Sequence, residues 1–490
     1  LLTTIEAGHI QLGTEARRAS VVEQAEELAR AAGGSIDVEA EAAVIDEITN
    51  LVEDPRGVLG SFEERYLELP EQILTAVMRK HQRYLPVYVD GALAPHFVTM
   101  ANGLCDDDVV RAGNESVIRA RYEDALFFWN ADLESDNVEG FVPGLDQLTF
   151  EDRLGSVGQR ARRIADVAAK LADRIDLDGA ERETLTRAGQ LAKFDLATQM
   201  VVEMSSLAGF IAREYAVRKG ETQAVADALF EMEQPHTSAD PVPATTAGSL
   251  LALGDRFDLL ASMFALSAKP TGSSDPFGLR RAALGVVRIL RESAGTPLES
   301  LTIRAGLEDA VARLAEQGVT VADDAVDAAL EFTIGRFAQL LRDEGTSADL
   351  VTAILPSADA PGRASRLLAE LVAAKDDQRL RDLVAVLVRI SRILPDGVTA
   401  ALKTDQLSEP AEIALHDAVF DAVDGSPEEQ HLPAVLDRTE GVVAAASTFF
   451  DDILVNAEDP AVRAARQGLL AAVLGLAPEG VDWKALDTAL

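Results

Sequence analysis

The side chains best suited to chemistry are arginines that recur at helical spacing after Asp275, in a chain with a formal net charge of −37. Winding this segment at about 100° per residue brings Arg280, Arg281, Arg288 and Arg291 into an arc of about 100°. A guanidinium group binds phosphate through two parallel hydrogen bonds and stacks on planar bases, so the stripe could hold a polyanion. A solvated polar face is the alternative, although such a face usually carries charges of both signs.

The helix that must position these arginines is expected to begin at Asp275, because Asp is a good N-cap and Pro276 suits the first helical position. The side opposite the arginines is apolar, and Leu284 alone lies among the basic residues. That apolar side consists of Leu279, Ala282, Ala283, Val286, Val287, Ile289 and Leu290. The pattern predicts a helix with one buried face and one cationic face.

Residues that could support other chemistry are few. We find no Gly-rich phosphate loop, no pair of catalytic histidines and no nucleophile beside a base. His81 and His96 have no partner at metal-ligand spacing and fall on different predicted elements. His416 stands beside Asp417, but this pair fits an exposed helix surface better than a catalytic dyad. We therefore predict neither a catalytic residue nor a metal site in this chain.

Composition favours a large helical protein that contacts nucleic acid only locally. The length of 490 residues allows about three domains. Ala, Val and Leu dominate while aromatic residues make up 5%, which is typical of helices packed on helices. The negative charge would repel phosphates at long range, yet the basic residues are 37 Arg against 8 Lys, and Arg is the better phosphate ligand.

The expected location is the cytoplasm. No run of about 18 apolar residues is free of charge, so no membrane span or membrane partner is predicted. Cys105, the single cysteine, cannot form an intramolecular disulfide and suits a reducing compartment. The chain opens at Leu1 without an initiator Met or a signal peptide, so we expect a fragment of a longer protein.

The first 130 or so residues are predicted to be mixed α/β, and the rest of the chain almost entirely helical. Helices are predicted over 15–33, 38–52 and 71–83, with a break at 54–57. Strands over 85–89 and 96–100 are predicted to pair across Asp90-Gly91, with a slightly long loop. Later, an amphipathic helix over 301–318 is predicted as a connector, and a helical bundle from about residue 328.

Three stretches are similar to signature motifs of a single protein family and occur in the same order as in that family. They are residues 69–87, residues 102–103 with 113–128, and residues 269–285. The last is Lys-Pro-Thr-Gly-Ser-Ser-Asp-Pro-Phe-Gly-Leu-Arg-Arg-Ala-Ala-Leu-Gly and includes the first two arginines of the stripe. Together they resemble the β subunit of the heterotetrameric bacterial glycyl-tRNA synthetase. Matches run from roughly Arg17 to Leu470, without the family's N-terminal portion.

The first of these stretches carries its own cluster of basic residues. Lys80, His81 and Arg83 could meet RNA. Alternatively, they form the ordinary exposed face of a helix whose Ile73, Val77 and Met78 pack inward. The sequence leaves both interpretations open.

Residues 150–270 resemble the family's HD-type helical domain, carried by residues 154–156, 191–201 and 253–260. HD hydrolases bind metal through a His, a His-Asp pair and a later Asp. This chain has no histidine between His96 and His236, so the resemblance implies an HD-like domain without metal ligands. Asp195 and Asp255 are then remnants of those ligands, or simply caps and surface carboxylates.

The last third resembles the α-helical anticodon-binding domain that this family shares with arginyl-type synthetases, most clearly at residues 449–466. The family prefers Lys-Arg and then Asn before the Ile-Leu of an earlier helix. Here Val388, Arg389 and Arg392 stand at those positions. The departure weakens the carry-over of RNA contacts to this helix.

The resemblance implies the β subunit of glycine–tRNA ligase, which binds tRNA(Gly) at its acceptor side and anticodon. Class II synthetase motifs are missing, so glycine activation with ATP and Mg²⁺ would belong to an α subunit, separate in a heterotetramer or fused to the chain. This chain would hold no cofactor. The alternatives are a helical protein-binding scaffold and a degenerate HD-type phosphohydrolase.

The implied fold class is mainly α and multidomain. A mixed α/β domain is expected over 1–140, an HD-like helical domain over 141–295, a helical connector over 296–327 and an α-helical anticodon-binding bundle over 328–490. The candidate tRNA-binding residues are Lys269, Arg280, Arg281, Arg288, Arg291, Arg336, Arg342, Arg389 and Arg392. Each alone could instead be part of a surface ion pair.

Overall fold

The structure is a computed structural model that describes residues 10–270, 272, 274–394, 404–423 and 431–489. These residues are mainly helical, with a small antiparallel sheet, as the sequence predicts. None of the described helices is long and apolar enough to cross a membrane. Contacts divide the chain into an N-terminal unit, residues up to 148 with 193–226, and a second unit, residues 149–192 with 227 onward.

The helices are numbered in chain order. Up to residue 231 they are α1 (Thr14–Ala31), α2 (Ala42–Leu51), α3 (Glu71–Ala76), α4 (Asp107–Leu133), α5 (Val157–Ala172), α6 (Gly179–Gln190), α7 (Gln199–Glu203), α8 (Phe210–Arg218) and α9 (Gln223–Glu231). From residue 246 they are α10 (Thr246–Ala265), α11 (Leu279–Arg291), α12 (Ile303–Glu316), α13 (Ala325–Asp343), α14 (Ala348–Ile354), α15 (Pro361–Ala374), α16 (Gln378–Ile393), α17 (Pro410–Val423), α18 (Leu432–Asp452), α19 (Pro460–Leu474) and α20 (Trp483–Ala489). The strands are β1 (Pro55–Ser61), β2 (Leu85–Val89), β3 (Ala92–Asn102), β4 (Thr149–Glu151) and β5 (Gly155–Ser156).

The sheet of the N-terminal unit is antiparallel with the order β1-β3-β2. The predicted hairpin is present but tighter, because β3 starts at Ala92 and pairs it with Val89. The turn is therefore Asp90 and Gly91 alone, both at positive φ (52° and 81°), as a two-residue type I′ turn requires. The sequence does not predict strand β1, because the residues at its start, Asp-Pro-Arg-Gly, are typical of a loop between helices.

Helices α1 and α2 cover the sheet because their apolar positions fall on one side. The core they form with the strands contains Val21, Ala25, Ala29, Ile45, Ile48, Leu85, Val87 and Val98. Both helices agree with the predicted ones, although α2 starts four residues later than expected.

A π-helical turn, Val77–Gln82, continues α3 and accounts for the rest of the helix predicted over 71–83. It ends at Arg83 in the left-handed region, with φ 55°. The next residue, Tyr84, is buried and stacks on Phe97 with ring centroids 4.5 Å apart. Burial raises the pKa of Tyr84 to about 12, so its hydroxyl stays protonated and donates to the side chain of Asn114.

Helix α4 is 27 residues long and buries one face through Ile118, Tyr122 and Trp129. The carboxylate of Asp106 caps its N-terminus by accepting from the N–H groups of two residues in the first turn. Gly113 lies exposed in its interior, where glycine costs about 0.5–1 kcal/mol relative to alanine.

In the second unit, α10 is the central helix, with almost every residue buried. It packs against α5, α6, α11, α12 and α13. Its Asp258 is fully buried and accepts hydrogen bonds from Arg163 (2.6 Å) and Arg160 (3.3 Å) of α5. These ion pairs join the two helices across the core of the unit.

The C-terminal helices of this unit share two apolar clusters. One joins residues of α11 and α13–α16 with the first half of α18, and the other joins the end of α16 with α17, the second half of α18 and α19. The sequence predicts one apolar face for α16, and that face is buried at Leu380, Leu383, Val384, Leu387 and Ile390. The sequence also predicts that residues 395–397, Pro-Asp-Gly, end this helix, and these residues lie outside the described ones.

The buried ion pair of Glu412 with Arg466 makes the stability of this bundle depend on pH. Burial would raise the pKa of Glu412, but backbone N–H groups and the Arg466 guanidinium outweigh it and lower the pKa below its ordinary 4.5. A lowered folded-state pKa stabilises the fold above about pH 4.5 and loses that contribution as the pH falls through the folded value. We expect Glu412→Gln to be less stable than wild type at pH 7, with the difference shrinking towards pH 3.

Urea denaturation midpoints at pH 7, 5, 4 and 3 would measure this convergence. The exposed Glu458 provides the control, because Glu458→Gln should shift the midpoint little at any of these pH values. A constant difference between Glu412→Gln and wild type across the range would contradict the prediction.

The domain boundaries at residues 140, 295 and 327 remain predictions.

Candidate nucleic-acid interface

Helix α11 presents the predicted basic face, but it starts at Leu279 and not at Pro276. Gly278 precedes it with φ 68°. The carboxylate of Asp275 still caps the helix, accepting from the N–H groups of Leu279 (2.8 Å) and Arg280 (2.9 Å). The apolar face is buried as predicted, at Leu279, Ala282, Ala283, Val286, Val287, Ile289 and Leu290.

The arginines of α11 differ in how free they are. Arg281 is exposed, and within the described residues it makes no ion pair or hydrogen bond. Arg280 is half-buried and donates to the carbonyl oxygen of Gly272 at 2.8 Å. Arg288 is only 14% exposed and donates to the carbonyl oxygens of Thr237 and Asp240. Arg288 thus fastens the preceding loop to α11.

Two more predicted contacts near α11 are occupied by carboxylates. Arg291 bonds Glu344 at 2.6 Å, and Lys269 bonds Asp324 at 3.3 Å. These pairs are at least partly exposed, so RNA phosphates could compete for the cations at a small cost.

Arg336 and Arg342 lie on α13, which packs against α11. Arg336 is half-buried with its guanidinium 5.8 Å from the centroid of Phe332. Arg342 is exposed, and Glu344 just beyond it bonds Arg291. The structure therefore brings Arg342 close to the C-terminal end of the α11 stripe, whereas the sequence assigns it to the C-terminal bundle.

Arg389 lies in a groove of about 650 Å³ between α16 and α18. Its guanidinium carbon is 4.3 Å from the centroid of the Phe450 ring, and its Nη2 lies 3.5 Å from the Phe450 carbonyl oxygen. Arg392 is exposed one helical turn further along α16. Neither arginine makes an ion pair within the described residues.

The walls of this groove also carry carboxylates. Asp382, Glu440 and Asp451 line it, and Arg379 stands at one end, paired with Asp437 at 2.5 Å. Stacked aromatic and guanidinium planes, free guanidinium donors and carboxylate acceptors are the groups that hold and read an unstacked base. The groove is therefore suited to a single-stranded nucleotide.

Phe450 is the groove residue that sequence reasoning missed. It lies 61 residues from Arg389, and no local pattern links the two. The available signal is the Phe449-Phe450 doublet near the end of α18, in a chain with few aromatic residues. Phe449 is fully buried and Phe450 is 9% exposed at the groove.

The carboxylates aligned with metal ligands of HD enzymes have structural partners. Asp195 accepts from the backbone N–H of Gly209 at 2.8 Å. Asp255 pairs with Arg160 at 2.9 Å. Among the described residues, no group of three or more His, Cys, Asp or Glu side chains is arranged to hold a metal ion.

The sequence of the chain matches a protein-family model. The model described as "Glycyl-tRNA synthetase beta subunit" matches residues 2–356. That range covers most of the chain, including α11 and its arginines.

Named relatives agree with this match. The chain is 36% identical over 487 residues to the glycine–tRNA ligase beta subunit of Actinobacillus pleuropneumoniae, covering 96% of this chain and 68% of the relative. It is 35% identical over 498 residues to the beta subunit of Haemophilus influenzae, covering 98% and 70%. It is also 33% identical over 483 residues to the chloroplastic/mitochondrial glycine–tRNA ligase 2 of Arabidopsis thaliana, covering 98% and 44%.

Proposed function

The chain belongs to the family of glycyl-tRNA synthetase β subunits, and on that premise we propose that it binds tRNA(Gly) and positions it for aminoacylation by an α subunit. The observation that carries this proposal is the match to β subunits over nearly the whole chain. The relatives are named glycine–tRNA ligase beta subunits, and a chain of this family acts within that ligase. A cytoplasmic location, expected from the single Cys105, is part of the proposal.

Two sets of arginines support tRNA binding in a chain too acidic to attract RNA as a whole. The first region consists of Lys269, the arginines of α11 and those of α13, and we assign it to the acceptor side of the tRNA. The second region is the α16–α18 groove with Arg389 and Arg392, which we assign to the anticodon, whose unstacked bases suit a stacking groove. The second assignment corresponds to an α-helical anticodon-binding domain over 328–490, except that its first helix, α13, packs against α11 and is counted with the first region.

The finer domain assignment is also a proposal. We take residues 141–295 as an HD-like helical domain that serves as scaffold and residues 296–327 as a connector. The aspartates aligned with metal ligands, Asp195 and Asp255, take part in hydrogen bonds and ion pairs that hold the fold. That role favours a scaffold over a phosphohydrolase.

Catalysis is proposed to be divided between two chains or two parts of one. The α part would bind ATP, Mg²⁺ and glycine and form the activated amino acid. The β chain would contribute binding energy from parts of the tRNA remote from the reacting ester, which brings the acceptor end to the reaction centre.

We expect the purified chain alone to catalyse neither glycine-dependent ATP–pyrophosphate exchange nor glycylation of tRNA(Gly). Adding the α subunit of a bacterial relative should restore glycylation, because the α part supplies the missing ATP site. Both reactions can be followed with labelled substrates. Pyrophosphate exchange by the chain free of α subunit would overturn the division of labour, and absence of any tRNA(Gly) binding would overturn the proposed function.

A further inference from the structure

We propose that the N-terminal unit carries a third RNA contact, formed by the π-helical turn Val77–Gln82 and the adjoining edge of α4. The inference rests on the proposed tRNA-binding function and adds to it a surface that neither arginine region includes. Its expected ligand is the sugar-phosphate backbone of a single-stranded or helical-end segment of tRNA.

The turn is a rigid platform for basic side chains. The backbone N–H of Tyr84 donates to the carbonyl oxygen of Met78 at 2.9 Å, and both side chains are buried. Between them, Lys80 and His81 point to solvent as exposed residues. Arg83 leaves the turn at positive φ and bonds Glu47 at 2.6 Å. Fixed backbone on both sides means that little order is lost when the turn binds a ligand.

Two of the Lys and Arg side chains of the N-terminal unit have no ion-pair or hydrogen-bond partner among its described residues. Among the described residues of the N-terminal unit, Lys80 and Arg121 are the Lys and Arg side chains that make no ion pair and no hydrogen bond. The neighbouring cations are neutralised, as in the pair of Arg79 with the buried Glu41. Unpaired cations on an acidic protein are the groups with which a phosphate would interact at the least cost.

The π-helical turn packs against α4, which carries Arg121. The Tyr84 hydroxyl donates to the Asn114 side chain, and the Tyr122 hydroxyl donates to the carbonyl oxygen of Leu74 at 3.3 Å. The next row of α4 at i, i+4 spacing consists of Gly113, Val117 and Arg121, and all three residues are exposed. Gly113 directly precedes Asn114 and Arg121 directly precedes Tyr122, so both ends of the row adjoin the α4 residues that bond Tyr84 and Leu74.

Gly113 gives this edge its open shape. A Cβ atom built there meets nothing within 4 Å, so packing inside the chain does not require glycine. Glycine is, after proline, the least favourable residue in a helix interior. An external ligand that approaches the helix backbone closely would explain it, and the flanking cations favour a polyanion over an apolar protein surface.

Two variants of the full chain test this site by measuring tRNA(Gly) affinity against salt concentration. Lys80→Gln with Arg121→Gln should weaken binding about tenfold and reduce the slope of log K against log salt by about 1.4–1.8, because two phosphates are no longer neutralised. Gly113→Leu should raise the thermal midpoint, because leucine is a better helix former and has room, while weakening tRNA binding. Opposite signs for stability and binding are the signature of a ligand site, since a merely structural residue would move both together.

Two control variants separate the effects of helix propensity and of net charge from the loss of a ligand contact. Gly441, also exposed with open space in the interior of α18, is the control for stability, because Gly441→Leu should raise the midpoint in the same way. Lys375→Gln with Lys484→Gln makes the same charge change at exposed sites elsewhere and should leave the slope close to wild type.

Unchanged affinity and slope in both test variants, alongside normal tRNA binding by wild type, would overturn the third contact and leave the proposed function intact. Loss of α-subunit capture by Gly113→Leu with unchanged tRNA affinity would mean a protein interface and also overturn it. Failure of wild type itself to bind tRNA(Gly) would overturn the third contact together with the function it rests on.

Discussion

Replacing Asp258 by asparagine is expected to lower the free energy of unfolding of the second unit by about 3–5 kcal/mol, the usual cost of removing one partner from a buried ion pair. The Asp258 side chain has no solvent exposure and that of Arg163 is 4% exposed. Asparagine keeps the shape but not the charge, so Arg163 would lose its buried counter-charge. Urea denaturation followed by circular dichroism measures the change.

A second Arg–Asp pair between segments of the same unit serves as the control. Asp309 accepts three hydrogen bonds from Arg174, whose side chain is 43% exposed, so solvent already screens the pair. Asp309→Asn should cost about 0–1 kcal/mol. Replacing both Arg163 and Asp258 by leucine should recover part of the loss, because Arg163 then leaves no unpaired buried charge and Arg160 keeps its ion pair with Asp255. A cost for Asp258→Asn no larger than for Asp309→Asn would contradict the account.

The predictions that succeeded depend on local patterns. The apolar face of α11 repeats at helical spacing and is buried as predicted, and Asp90-Gly91 makes the hairpin turn. A prediction is less accurate where one local signal is compatible with two structures. Asp275 caps α11, but through an intervening turn that ends at Gly278, so the helix starts three residues later than at Pro276.

The features that the sequence could not predict are set by partners distant in the chain. Strand β1 forms because Pro55 to Ser61 find a complete ladder in β3, where Pro55 pairs with Asn102. Arg288 looks like its neighbours in a stripe, yet it is occupied by carbonyl oxygens of a loop 48 and 51 residues earlier. Spacing gives the face of a helix on which a cation lies; only the tertiary fold gives its partner.

The two-region binding of tRNA yields the other large expected effect. Arg281→Gln with Arg342→Gln removes exposed cations of the first region, and Arg389→Gln with Arg392→Gln removes those of the α16–α18 groove. Each double variant should weaken tRNA(Gly) binding about tenfold. In the groove the reason is the loss of a base-reading arginine, which contributes about 1–3 kcal/mol, and in the first region it is the loss of two phosphate contacts. Each phosphate that is no longer neutralised should also reduce the slope of log K against log salt by about 0.7–0.9.

The two regions should differ in how their variants bind. The groove stacks Arg389 on Phe450, so its double variant should bind tRNAs with altered anticodons more nearly equally, as loss of base reading requires. The first region has exposed cations without an aromatic partner at Arg281, so its variant should weaken all tRNAs alike and mainly change the salt slope.

The residues were chosen so that a loss of tRNA affinity is not caused by a loss of folding stability. Arg280 and Arg288 are left in place because they donate to backbone carbonyls, and their loss would loosen the loop before α11. Lys375→Gln with Lys484→Gln carries the same change in charge at exposed positions, so a general electrostatic effect would appear there too. Thermal melts confirm that each variant is folded. If both arginine doubles keep wild-type affinity and slope, RNA binding does not depend on these two regions and the proposal is wrong.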